Sequence, residues 1–150
     1  MPLNTYFIYD YLKIEDVVYG AASKFIGAYP NTAGFSNIYV DTLKTAPVYN
    51  YHLSKIESIG ASTSGNEIYL FDSYYDTTTV QGNMKGMPVG VEYLGQDFKS
   101  VTLSFPLYYM KQDQAKSLMT YILTNKFDLR MILIVYKLGK ILILFEFSSH

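Results

Sequence analysis

The sequence predicts a mixed α/β fold in one domain, and three observations carry that expectation. The runs "PVGVEYLG" and "KSVTLSFPL" read as strands joined by a short turn holding Gly95 and Asp97. In the second run, Val101, Leu103 and Phe105 alternate with Thr102 and Ser104, as one buried and one wetter strand face require. The run "DQAKSLMTYIL" then sets Ala115, Leu118, Met119 and Ile122 at three- and four-residue intervals, one apolar face of a helix. Pro106 has no N–H to give a ladder, so the Phe105-Pro106 corner ends the strand and redirects the chain.

Composition bounds the rest. A chain of 150 residues is one domain at most and buries roughly 70% of its unfolded surface. It is 49% hydrophobic and 17% charged, which argues against disorder. A net charge of −1 leaves no basic field to hold a phosphate backbone, so no nucleic-acid partner is expected. With no Cys there is no disulfide, thiolate nucleophile or zinc–thiolate site. Sixteen Tyr and nine Phe without Trp suit half-exposed strands, because Tyr joins an apolar ring to a polar tip; the sharper alternative is a sugar-stacking face.

In chain order, a short helix is expected from Asn4 to Leu12, followed by a brief strand or extended turn over "EDVVYGAA". "YPNTAGFSN" reads as a loop and "IYVDTLK" as a short strand. "APVYNYHLSKIESIG" alternates through Val48, Tyr49, Tyr51 and Leu53 and reads as a strand; "ASTSGN" breaks it. "EIYLFDS" is a strand and "YYDTTTVQGNMKG" a polar connection. The apolar tail, Met131 to Phe147, is short for a membrane span and is interrupted by Lys137, Gly139 and Lys140. A hairpin of Met131–Lys137 and Lys140–Phe147, turning at Leu138-Gly139, is expected instead, on a native or a non-native extension.

Candidate sites are few. His52 sits in an apolar run without a second ligand or a nucleophile, so a structural role is expected. Asp72 and Asp76, near Thr77 to Thr79, offer oxygens to a metal, but turn roles are the favoured reading. Gly82, Gly86 and Gly90 precede a strand, the wrong order for a phosphate cradle. Glu67, Glu92 and Asp97 are the carboxylates a glycosidase-like reading would use. Tyr74, Tyr75, Tyr108 and Tyr109 are the candidate sugar platforms, the last two at the carboxyl end of a strand. Gly90, Gly95, Phe105 and Pro106 are assigned structural roles around the corner. No cofactor is expected.

The segments "VGVEYLGQDFK", "FPLYYM" and "QAKSLM" resemble the glutamine amidotransferase-like α/β domain near the C-terminus of large secreted proteins of Bacteroidetes and Chlorobi type bacteria. Those include xanthan-lyase-like and secretion-sorted proteins. "DYLKI", "GFSNIYVDTLK" and "EIYLFDS" fit looser parts, so the resemblance runs from about Tyr9 to Leu123. It implies a partial Rossmann-like or flavodoxin-like layered sheet, with "KSVTLSF" as a buried strand and the last helix covering one face; an α+β mixed sheet is the alternative. It also implies an incomplete domain over 1–125 and a distinct tail over 126–150. The family's amidotransferases use a Cys nucleophile with His and Glu, and this chain has no Cys, so a non-catalytic module is expected. The stretch "MPLNTYFIYDYLKIED" has no signal-peptide pattern, so an extracellular or cell-surface place would depend on a longer parent chain. The expected partners are the remainder of that chain, another protein or a polysaccharide, with a divergent carboxylate-dependent hydrolase as the further alternative.

Overall fold

A computed structural model describes residues 4–128, 130–135 and 141–146. Helix α1 (Asn4–Asp10) falls within its expected span and leads into strand β1 (Ile14–Val18), which begins one residue before the expected segment. β1 pairs antiparallel with β4 (Ser58–Ala61), Ile14 opposite Ala61 and Val18 opposite Ser58. The main sheet runs β3 (Ile38–Tyr39), β2 (Gly27–Pro30), β5 (Asn66–Asp72), β6 (Pro88–Leu94) and β7 (Lys99–Leu103). All of its pairings are antiparallel. Helices and sheet thus mix as expected. A doubly wound layering would instead place parallel strands side by side, joined by crossover helices.

Three local expectations are corrected. The run around Val48 and Tyr49 is not a strand but the end of helix α2 (Thr42–Tyr49). Asp41 decides this: its carboxylate accepts the Leu43 N–H at 3.0 Å and its carbonyl accepts the Thr45 N–H. A good N-cap outweighs a weak alternation. Asn50 ends the helix in the left-handed conformation that Asn tolerates (φ 51°). Further along that run Leu53 exchanges both backbone hydrogen bonds with Phe25 at 2.8 Å, and its end, from Ser58 to Gly60, is strand as expected, within β4. The expected loop "YPNTAGFSN" starts later, since Tyr29 and Pro30 still pair with Leu70 and Tyr69. And "KSVTLSF" is a half-buried edge strand paired to β6 alone, not a buried inner one.

The Phe-Pro corner carries the chain across the sheet. After Phe105, which is buried, a 3-10 turn (Leu107–Tyr109) brings the chain from the β7 edge to the β3 edge. There Asp41 N–H donates to the Tyr109 carbonyl and Lys111 N–H to the Tyr39 carbonyl. Helix α3 (Gln112–Tyr121) and a π-helical turn (Ile122–Lys126) then return to the β6–β7 side, where Lys126 meets Glu92 and Lys99 meets Asp128. Leu118 and Ile122 are buried and Ala115 packs beside them, but Met119 is 40% exposed. One residue beyond Leu118, it turns about 100° off the stripe, and Tyr121 takes the contact instead. Beyond residue 125, Lys126 is paired and Phe127 packs on the core.

The core is a chain of aromatic rings. Phe71 meets Phe25 at 5.0 Å, Phe25 stacks on Phe105 at 5.4 Å, and Phe105 meets Tyr69 at 6.0 Å. Tyr69 meets Phe35 at 5.4 Å and Phe35 meets Tyr121 at 5.0 Å, both edge to face. Gly90 lets β5 and β7 close around β6, since a Cβ there would lie 3.1 Å from Leu103 and from Tyr69. Ile14, Ile59 and Val91 form a smaller cluster under β1 and β4.

In the tail, β8 (Arg130–Val135) and β9 (Ile141–Glu146) pair antiparallel, Arg130 opposite Glu146. This is the expected hairpin with shorter strands; its turn at Leu138-Gly139 lies outside the described residues. Among the described residues no helix is long and apolar enough to cross a membrane.

Candidate binding cleft

Where the aromatic chain reaches the surface, α3 and the Gly34–Asn37 loop enclose a cleft of about 400 Å³. That size lies at the lower end of ordinary small-molecule sites, about 300–1,000 Å³. The helix wall follows from spacing: Asp113, Ser117 and Tyr121 recur every four residues and share one face. Leu118 and Tyr69 make the floor, and Phe35 and Asn37 belong to the loop wall.

Two contacts hold the loop in place. The Tyr69 hydroxyl donates to the Ser36 carbonyl at 2.8 Å, and burial pushes its pKa up to about 12, so the phenol stays protonated. Gly34 has φ +91°, and a Cβ there would fall onto the Tyr121 hydroxyl. The loop can therefore lie flat against the Tyr121 ring only because residue 34 lacks a side chain. Gln114 anchors α3 to the sheet, its Oε1 accepting the Tyr39 N–H at 2.8 Å.

Polar atoms without protein partners remain in the walls. Among the described residues, the Asp113 carboxylate and the Ser117 and Tyr121 hydroxyls have no hydrogen-bond or ion-pair partner. Asn37 spends its Nδ2 on the Tyr39 hydroxyl at 3.0 Å and keeps its carbonyl oxygen; Gln114 keeps its amide nitrogen. The partly exposed Tyr121 ring beside planar amides, hydroxyls and a carboxylate suits a ligand with an apolar face and a hydroxyl-bearing edge.

Beneath this cleft lies an ion pair. Lys126 Nζ stands 3.2 Å from Glu92 Oε1, which accepts a hydrogen bond, and 3.1 Å from Oε2, which is held by charge without one. Their side chains are 13% and 3% exposed. The same ammonium lies 4.9 Å from the Phe35 ring centre. Glu92 is thus committed to structure. In the β5–β6 register Glu67 stands opposite Val91 and Glu92 opposite Asn66, so these two carboxylates point to opposite faces and make no facing pair.

The residues singled out from the sequence lie elsewhere. Tyr74 and Tyr75 are exposed in the 73–87 connection. Tyr108 and Tyr109 are on the 3-10 turn with rings crossed at 82°, so they offer no shared flat platform, and Lys44 covers the Tyr108 ring at 5.3 Å. Asp72 accepts the Ser73 N–H and faces Lys85. Asp76 accepts the Thr78 N–H and hydroxyl, which hold its carboxyl below the usual range. Among the described residues no group of three or more His, Asp or Glu is placed to hold a metal. His52 Nδ1 meets the Asn50 carbonyl at 2.8 Å, and burial, then Lys24, lowers its pKa. Gly95 lies in the β6–β7 turn against the Tyr93 ring, and Pro106 precedes the 3-10 turn.

Sequence reasoning missed the cleft because Phe35, Tyr69 and Tyr121 lie far apart in the chain. The available signal was the Asp113-Ser117-Tyr121 spacing, polar residues along the margin of an otherwise apolar helix face. No protein-family model, curated protein or solved structure matches this chain.

Proposed function

We propose that this chain is a non-catalytic carbohydrate-binding module of a larger secreted or cell-surface bacterial protein. The observation that carries the reading is the cleft between α3 and the Gly34–Asn37 loop, where Tyr121 stands among unpartnered polar groups of Asp113, Ser117 and Asn37. A sugar ring would set its C–H face on the aromatic wall and its hydroxyls on those groups. The platforms expected at Tyr74, Tyr75, Tyr108 and Tyr109 give way to this cleft. The setting in a longer exported chain rests on the resemblance of "VGVEYLGQDFK", "FPLYYM" and "QAKSLM" to the amidotransferase-like domain; the antiparallel sheet lends no support to Rossmann-like layering. The hydrolase alternative is weakened by the commitment of Glu92 to Lys126.

Affinity electrophoresis in gels containing soluble xylan, mannan, glucan or polygalacturonate tests the reading. Retardation by one of them, abolished by Ser117→Trp, is the expected result. Ser117 is exposed, so a bulky side chain there fills the cleft without entering the core. Absence of retardation on every glycan overturns it.

A further inference from the structure

The charge of this cleft is unbalanced, and that bears on which glycans it accepts. Among the described residues lining it, Asp113 alone carries a formal charge. Two lysines near it are engaged elsewhere, and Lys116, exposed on α3, does not line the cleft. Lys126, behind the floor, is taken by Glu92. Lys111, at the start of α3, lies 5.7 Å over the Tyr39 ring. The remaining wall groups are neutral amides and hydroxyls.

We propose that Asp113 determines specificity in this cleft, selecting neutral glycans and rejecting chains of uronic acids. The inference rests on the carbohydrate reading above. An ionised carboxylate is acceptor-only, with two oxygens that can take hydrogen bonds from two adjacent sugar hydroxyls. Such charge-assisted bonds are roughly twice as strong as neutral ones. A sugar carboxylate in the same place meets like charge and finds no cation among the lining side chains to offset it. One side chain thus excludes it by like-charge repulsion.

The test compares binding of neutral xylan and of polygalacturonate to the full chain and to Asp113→Asn, at low salt, where the Debye length exceeds about 10 Å. Asparagine keeps the shape, removes the charge and adds a donor. The expected result is wild-type preference for the neutral glycan by at least about fivefold, with that ratio collapsing in Asp113→Asn as polygalacturonate binding rises. Equal affinity of the wild type for both glycans, or an unchanged ratio in the variant, overturns the role of Asp113 while leaving the cleft a glycan site. Failure of both glycans, together with every other glycan tested, removes the carbohydrate reading and this inference with it. Circular dichroism and the unfolding midpoint of Asp113→Asn separate a binding change from a folding defect; with an exposed side chain changed on the first helical turn, the midpoint is expected to stay close to that of the wild type.

Discussion

Lys126 holds Glu92 across 34 residues of sequence, its ammonium within 3.2 Å of both carboxylate oxygens at the back of the cleft floor. The pair ties the π-helical turn that follows α3 to β6. Removing one partner strands the other charge in the interior, whereas removing both does not. Lys126→Met is therefore expected to destabilise the chain by about 3–5 kcal/mol. The double change Lys126→Met/Glu92→Leu should recover most of that loss. Urea unfolding of the two variants checks this; equal destabilisation by both would show that shape rather than charge pairing matters here.

Gly34 and Tyr121 give a second prediction. An alanine at 34 must hold φ near +91° and displace the Tyr121 hydroxyl. Each effect is unfavourable, and backbone strain of this kind alone costs on the order of 1–3 kcal/mol. Gly34→Ala is expected to lower the unfolding free energy by at least about 1 kcal/mol and to weaken glycan retention, because Tyr121 is moved. The glycan part is read by electrophoresis at a temperature where circular dichroism shows the variant folded.

Alkaline stability should report on Tyr69. Its phenol is pushed up to about 12 by burial, against an ordinary value near 10. Above pH 10 the unfolded chain releases this proton and the folded chain keeps it. The unfolded state then binds fewer protons, so stability falls as pH rises, from about 10 through about 12. Below pH 10 both states are protonated and the slope vanishes. Tyr69→Phe should flatten this limb relative to the wild type and lower neutral-pH stability by about 1 kcal/mol, through loss of the bond to Ser36. Denaturant melts at pH 9, 10.5 and 11.5 distinguish the two slopes.

On α3, neighbouring apolar residues should respond in opposite ways. Leu118 is buried in the core and Met119 is 40% exposed. Leu118→Ala is expected to cost about 2–5 kcal/mol, while Met119→Lys stays within about 0.5 kcal/mol. Comparable losses at the two positions would mean that the helix is rotated from the arrangement described.

The Tyr pair at the corner provides a control. Tyr108 is 72% exposed and its ring is crossed with that of Tyr109. Tyr108→Ala should leave glycan retention unchanged and alter stability by no more than about 1 kcal/mol, the worth of an exposed cation–π contact with Lys44. Loss of retention in this variant would return the site to the corner.

Local chemistry was legible from residue order alone. The β6–β7 hairpin, the break at Pro106 and the apolar stripe of α3 each depend on residues within one or two turns of each other, and each was readable from period and turn chemistry. Sequence order left other matters open. Alternation around Val48 and Tyr49 favoured a strand, and Asp41 made it a helix by accepting the N–H groups of Leu43, Lys44 and Thr45. The edge position of β7, the crossing from β7 to β3, and the meeting of Phe35, Tyr69 and Tyr121 are long-range packing outcomes. So is the Glu92–Lys126 pair, in which two unremarkable charged residues become the anchor of a helix. The physical reason is one of range. Dihedral preference and capping act between neighbours along the chain, whereas burial and charge pairing are satisfied only once distant segments are brought together.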